Sequence, residues 1–156
     1  MALQVELLDE PDEDDVRDLA HVLVDCVEGG ASVNFVAPLP LEDAAEWWRA
    51  ALEQPHALTW VARGPSGRIV GCVRLVLAQQ PNGLHRAEVS KLLVSTAARR
   101  TGCAAALMHA LESWADEHGR HRLVLDTETG SPAEEVYERL GWTRVGTIPD
   151  YALTSS

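Results

Sequence analysis

The sequence predicts a single α/β domain: a mixed β-sheet with helices packed on both faces. Three observations lead there. Short apolar or alternating segments interleave with segments of helical period, in the order β-α-α-β-β-β-α-β-α-β. One long helix separates the fourth and fifth strands, which makes them a parallel pair with a right-handed crossover. The chain of 156 residues is 46% apolar, enough for one core, and no repeat, low-complexity tract or linker divides it.

Each element has a local reason. Leu3 to Leu8 alternates and reads as the first strand. Pro11 and a run of acids open a helix. Within it Val16, Leu19, Ala20, Leu23 and Val27 share one face, and Gly29-Gly30 ends it. A loop, ASVNFVAPLP, leads to a second helix over Leu41 to Gln54, closed by Pro55. Trp47 and Trp48 lie inside that helix, placed for packing and for the wall of a cleft. His56 to Arg63 and Arg68 to Gln79 form a hairpin across the turn GPSG. Arg86 to Val94 is the fourth strand. The long helix from about Arg99 to His118 presents Ala104, Leu107, Met108, Leu111 and Ala115 on one face, and Gly119 stops it. His121 to Thr127 is compact and apolar, like a central buried strand. Ser131 caps a short helix with Pro132 at its first position and Gly141 at its end. WTRVGTI begins a sixth strand.

Composition excludes several functions. A formal net charge of −11 argues against nucleic acid as a partner and leaves room for a cationic substrate. Seven of the ten residues from Glu6 to Asp15 are acidic, a pattern expected of a solvated helix start. No apolar stretch approaches the roughly 20 residues that span a bilayer, and MALQVELLDE lacks the character of a signal peptide. A cytoplasmic protein without a membrane partner is expected. Cys26, Cys72 and Cys103 are an odd, widely spaced set that suggests neither disulfides nor a zinc site. The six histidines show no metal-ligand spacing, so no metal is expected.

The stretch STAARRTGCAAALM, Ser95 to Met108, carries the chemistry. A strand end, a short basic loop and a helix start leave free backbone N–H groups beside positive side chains. Such a place suits an anion, most naturally a phosphate. Arg99-Arg100-Thr101-Gly102-Cys103-Ala104 fits the pattern Arg/Gln-x-x-Gly-x-Gly/Ala. LLV precedes it and VYERLGW follows about 30 residues later. Together these resemble the GNAT superfamily of acetyl-CoA-dependent N-acetyltransferases. HRAEVSKLLV, ARRTG, LVLDTETGS, YERLGW and VGTIPDYA look similar to its tabtoxin resistance protein branch.

The resemblance implies a GNAT-like sheet that splays between the fourth and fifth strands, near a bulge in the fourth. It implies acetyl-CoA as co-substrate. The backbones of Arg99, Arg100, Thr101, Gly102, Cys103, Ala104 and Ala105 hold its diphosphate, and those of Leu92, Leu93 and Val94 pair with its pantetheine arm. Cys103 stands at a helix start, where a thiolate could be stabilised, but the family transfers acetyl groups directly. An ammonium acceptor with a pKa of about 10.4 is not nucleophilic at pH 7, and freeing its lone pair costs about 4–5 kcal/mol. A carboxylate can take that proton. Glu88, an acid inside the fourth strand, and Asp126, at the end of the fifth, are the candidates, against simple pairing of Glu88 with Arg86, Lys91 or Arg74. Tyr137 matches the tyrosine that protonates the leaving thiolate. Asn34 and Phe35 fall in the loop that often covers the acceptor in the family, and Trp47 is placed for the wall of that cleft.

Two departures accompany the likeness. Gly130 stands where many relatives carry asparagine. No residues remain for the seventh strand that usually lies between the fifth and sixth, so a different pairing or a homodimer is expected. The implied function is transfer of an acetyl group to a primary amine of a small molecule, with an amino-acid-like toxin or antibiotic among the candidates. Acetylation of a protein or peptide, and non-catalytic acyl-CoA binding by a regulator, are the alternatives.

Overall fold

The structure is a computed structural model that describes residues 2–153. Its sheet has five strands in the order β1 (Gln4–Leu7), β2 (Ala57–Arg63), β3 (Ile69–Leu77), β4 (Arg86–Val94) and β5 (Arg122–Val124). The first three junctions are antiparallel and β4–β5 is parallel. Helices α1 (Glu13–Glu28) and α2 (Leu41–Leu52) cover one face; α3 (Cys103–Glu117) covers the other, with α4 (Pro132–Arg139) against the same core. The mixed sheet covered on both faces agrees with the sequence reading.

Local chemistry sets the helix ends. Asp12 and Asp15 form a reciprocal capping box at the start of α1, and the Ser131 hydroxyl accepts from the Glu134 N–H at the start of α4. Two apolar clusters result. Leu19, Leu23, Val27 and Trp48 meet Val61, Cys72 and Leu93 on the α1/α2 face. Trp60, Val73, Leu75 and Val89 meet Leu107, Met108, Leu111 and Tyr137 on the α3 face.

A bulge in β4 changes its facing. Cys72 is opposite Leu93 but Arg74 is opposite Ser90, so two residues of β4, Lys91 and Leu92, match one of β3. Lys91 takes φ +54° there. Before the bulge Val89 points to the α3 face; after it Leu93 points to the α1/α2 face.

Two expectations fail at the far edge. The fifth strand is not central: it shrinks to Arg122–Val124 and Val124 is 47% exposed. WTRVGTI forms no strand, and Val145 within it is 99% exposed. The cause is shared. Alternating apolar residues make a strand only where a neighbour completes the ladder, and among the described residues β5 pairs with β4 alone.

Candidate active site

The turn before α3 differs from every other helix start in this chain. Gly102 is the N-cap residue at φ +81°, Arg100 lies at φ +61°, and no side chain caps the helix. The first intrahelical bond runs from the Ala106 N–H to the Gly102 carbonyl at 3.0 Å, which leaves the amides of Cys103, Ala104 and Ala105 without helical acceptors. The first turns of α1, α2 and α4 each contain two or three acids; that of α3 contains none. A positive helix end is thus left open on the basic loop Arg99-Arg100, where an anion fits. Helix α3 begins at Cys103 rather than at Arg99, since Arg99 to Gly102 form the turn itself. The Cys103 side chain points away from this opening: it is buried, and burial pushes its thiol up to about 11. Desolvation keeps the thiol protonated.

The parallel pairing of β4 with β5 covers only Arg86–Glu88 against Arg122–Val124. From Val89 to Val94 β4 continues with no strand on that side among the described residues, which opens the expected splay. Leu92, Leu93 and Val94 line it after the bulge. Their other edge is fixed: Leu93 and Val94 pair with Cys72 and Gly71. The Cys26 thiol donates to the Val94 carbonyl at 3.4 Å, and the Cys72 thiol to the Lys91 carbonyl at 3.5 Å.

Glu88 lies opposite Val124, the last β4–β5 pair, and Asp126 follows two residues later. Both carboxylates are exposed and neither makes an ion pair among the described residues, so Glu88 is not consumed by Arg86, Lys91 or Arg74. Tyr137 is buried beside Trp142, ring centroids 6.0 Å apart. Burial first, and then the Asp126 charge, push its hydroxyl up to about 12. Asp126 and Tyr137 share a cleft of about 800 Å³ with Leu123, Trp142 and the stretch from Thr143 to Leu153. On the α2 side, Phe35 packs edge-on against Trp47 at 5.6 Å, and Trp48 is fully buried. Asn34 is exposed at φ +74° in the preceding loop.

The residue pattern of the Acetyltransferase (GNAT) family matches residues 19–142. The chain belongs to that family. It is 32% identical over 124 residues to an N-acetyltransferase of the hisH-hisA intergenic region of Azospirillum brasilense, covering 78% of this chain and 73% of the relative. It is 28% identical over 118 residues to an aminoglycoside N(6')-acetyltransferase type 1 of Serratia marcescens, covering 72% and 81%. The solved GCN5-related N-acetyltransferase from Kribbella flavida superposes with a TM-score of 0.77 at 26% identity, over 96% of this chain and 88% of that one. The protein is therefore a GNAT N-acetyltransferase, of a family whose co-substrate is acetyl-CoA.

Three further side chains of this acetyltransferase stand beside the expected ones: Asp25, absent from the sequence reading, and Arg74 and Lys91, weighed there only as partners of Glu88. The Asp25 carboxylate accepts from the Thr96 N–H at 2.7 Å and from its hydroxyl at 2.9 Å, tying the turn before α3 to α1. It sits in the last turns of α1, where an acid opposes the dipole, and this misfit was the one available signal. Arg74 and Lys91 are buried against Trp47 and Trp48. Arginine or lysine inside a strand pattern carries no mark of which face it takes, and the bulge that turns Lys91 inward is not legible in the sequence.

Proposed function

We propose that this acetyltransferase moves the acetyl group of acetyl-CoA directly to a primary amine of a small molecule. The single observation that carries the reading is the open N-terminus of α3, with three free amides, a left-handed glycine and no acid in its first turn. The backbones of Arg99 to Ala105 hold the diphosphate there, since any carboxylate in that turn would repel it. Leu92, Leu93 and Val94 offer free backbone groups at the splay to the pantetheine arm, and one N–H polarises the thioester carbonyl.

Glu88 and Asp126 take the proton of the ammonium acceptor, directly or through water. The freed lone pair forms the new C–N bond as the C–S bond breaks. Tyr137 gives its proton to the departing thiolate, and the second proton shed by the new amide nitrogen returns to its phenolate; burial holds the hydroxyl protonated at neutral pH. Asn34, Phe35 and Trp47 border the acceptor. A toxin or antibiotic amine agrees with the likeness to the tabtoxin resistance branch; the Serratia relative's named activity is on an aminoglycoside, an antibiotic amine of another, polycationic class. Three unpaired thiols suit the reducing cytoplasm. The outer edge of β5, unpaired among the described residues, and the exposed Ile148, Tyr151 and Leu153, which line one cleft with Leu123 and Val124, support a homodimer that pairs there. A stable monomer by size-exclusion chromatography with light scattering at micromolar concentration would refute that assembly.

Two measurements test the reaction. Calorimetry with coenzyme A detects binding, and release of free thiol across an amine panel detects transfer. Glu88→Gln and Asp126→Asn each lower turnover by about 10²-fold with coenzyme A affinity unchanged. Absence of coenzyme A binding in folded protein would overturn the whole assignment.

A further inference from the structure

Among the described residues, two buried cations share one face of the sheet and have no carboxylate partner. Arg74 is 2% exposed and Lys91 7% exposed. Arg74 spends its donors on neutral oxygens: Thr59 Oγ1 at 3.1 Å, the Ala51 carbonyl at 3.1 Å and Gln54 Oε1 at 3.0 Å. Its guanidinium lies 5.7 Å from the ring centroids of both Trp47 and Trp48. The Lys91 ammonium stands 5.0 Å from the Trp47 ring, and among the described residues no acidic side chain lies within ion-pair distance of either cation. Buried charges are ordinarily paired. This pair of like charges meets only neutral oxygens and the indoles of Trp47 and Trp48.

The two cations are not equivalent. Arg74 is tied to α2 and β2, whereas no side-chain hydrogen bond of Lys91 occurs among the described residues. Lys91 is not sealed completely: 7% of its surface remains exposed. Its backbone is fixed by the bulge and by the Cys72 thiol on its carbonyl. Burial and the neighbouring Arg74 both disfavour its charge, while Asp126 and Glu88 favour it from beyond ion-pair range. The ammonium thus stands in the field of the two carboxylates proposed to deprotonate the acceptor, on the tryptophan proposed as the acceptor's wall.

The structure assigns Lys91 as a specificity-determining residue: its ammonium takes the free carboxylate of the acceptor, so that preferred acceptors are amino-acid-like zwitterions rather than polycations. The assignment rests on the acetyl-transfer reading and narrows its substrate class. An acceptor of this kind brings its amine to Glu88 and Asp126 and its carboxylate to Lys91, and supplies the charge that the Lys91–Arg74 pair lacks. A polycation would instead be repelled by that pair.

Matched amines test it: L-lysine against cadaverine, and L-phenylalanine against 2-phenylethylamine. Thiol release should favour the carboxylate-bearing member of a pair at least tenfold in kcat/KM. Calorimetry on protein saturated with coenzyme A should show a similar preference in binding. In Lys91→Met and Lys91→Gln the ratio within each pair collapses to twofold or less. The wild-type comparison needs no variant, so misfolding of either substitution leaves the test intact. Equal use of both members, a preference for the decarboxylated amines, or no binding of either carboxylate without turnover overturns the assignment. Carboxylate-dependent binding without any thiol release would instead sink the transfer reading and leave the Lys91 site standing.

Discussion

Gly102 and Gly119 bracket α3, both at positive φ (+81° and +78°), and a Cβ built on either meets nothing within 4 Å. Alanine at either position therefore pays only for the left-handed backbone, about 1–2 kcal/mol. For a domain of this size each kcal/mol lowers Tm by about 2–4 °C, so both Gly102→Ala and Gly119→Ala should melt about 2–8 °C below wild type. Their effects on coenzyme A should diverge. Relief of strain at Gly102 turns the amides of Cys103 to Ala105 away from the diphosphate. Losing one charge-assisted hydrogen bond, worth about 1.5 kcal/mol, already weakens binding about tenfold. Gly119 lies at the opposite end of the helix and should leave affinity within twofold. Differential scanning calorimetry and titration calorimetry with coenzyme A read both quantities. Equal affinities for the two variants would refute the placement of the diphosphate.

Tyr137→Phe should lower kcat by about 10²-fold or more with little change in acetyl-CoA affinity, read by stopped-flow thiol release. Because folding raises the Tyr137 pKa from 10.0 to about 12, its contribution to stability is complete below pH 10 and is lost as pH rises to about 12. Urea titrations between those limits should show wild type losing stability that the phenylalanine variant retains. Asp25→Ala removes the charged acceptor of Thr96 and should cost about 1.5 kcal/mol by the same titration, with weaker coenzyme A binding; Asp25→Asn should fall between it and wild type. Leu107→Ala empties a fully buried position under the sheet and should cost about 3 kcal/mol; a loss below about 1 kcal/mol would show that the α3 cluster repacks.

What could be read from residues alone was whatever the chain encodes within a few positions. Helical spacing placed α1, α2 and α3, Ser131 and Pro132 placed α4, and the β4 limits Arg86–Val94 agree with the structure residue for residue. The open helix start behind Arg99–Gly102 was legible because a basic pair, a glycine and a run of helix formers all lie within one short segment. Tertiary structure alone decided what depends on partners distant in sequence. WTRVGTI has the pattern of a strand but pairs with none among the described residues, so it forms no ladder and leaves Val145 exposed. Lys91 meets Trp47 across 44 positions of sequence, and Asp25 meets Thr96 across 71. Backbone propensity and periodicity are local quantities. Ladder completion, the facing of a strand beyond a bulge and the company of a buried charge belong only to the assembled sheet.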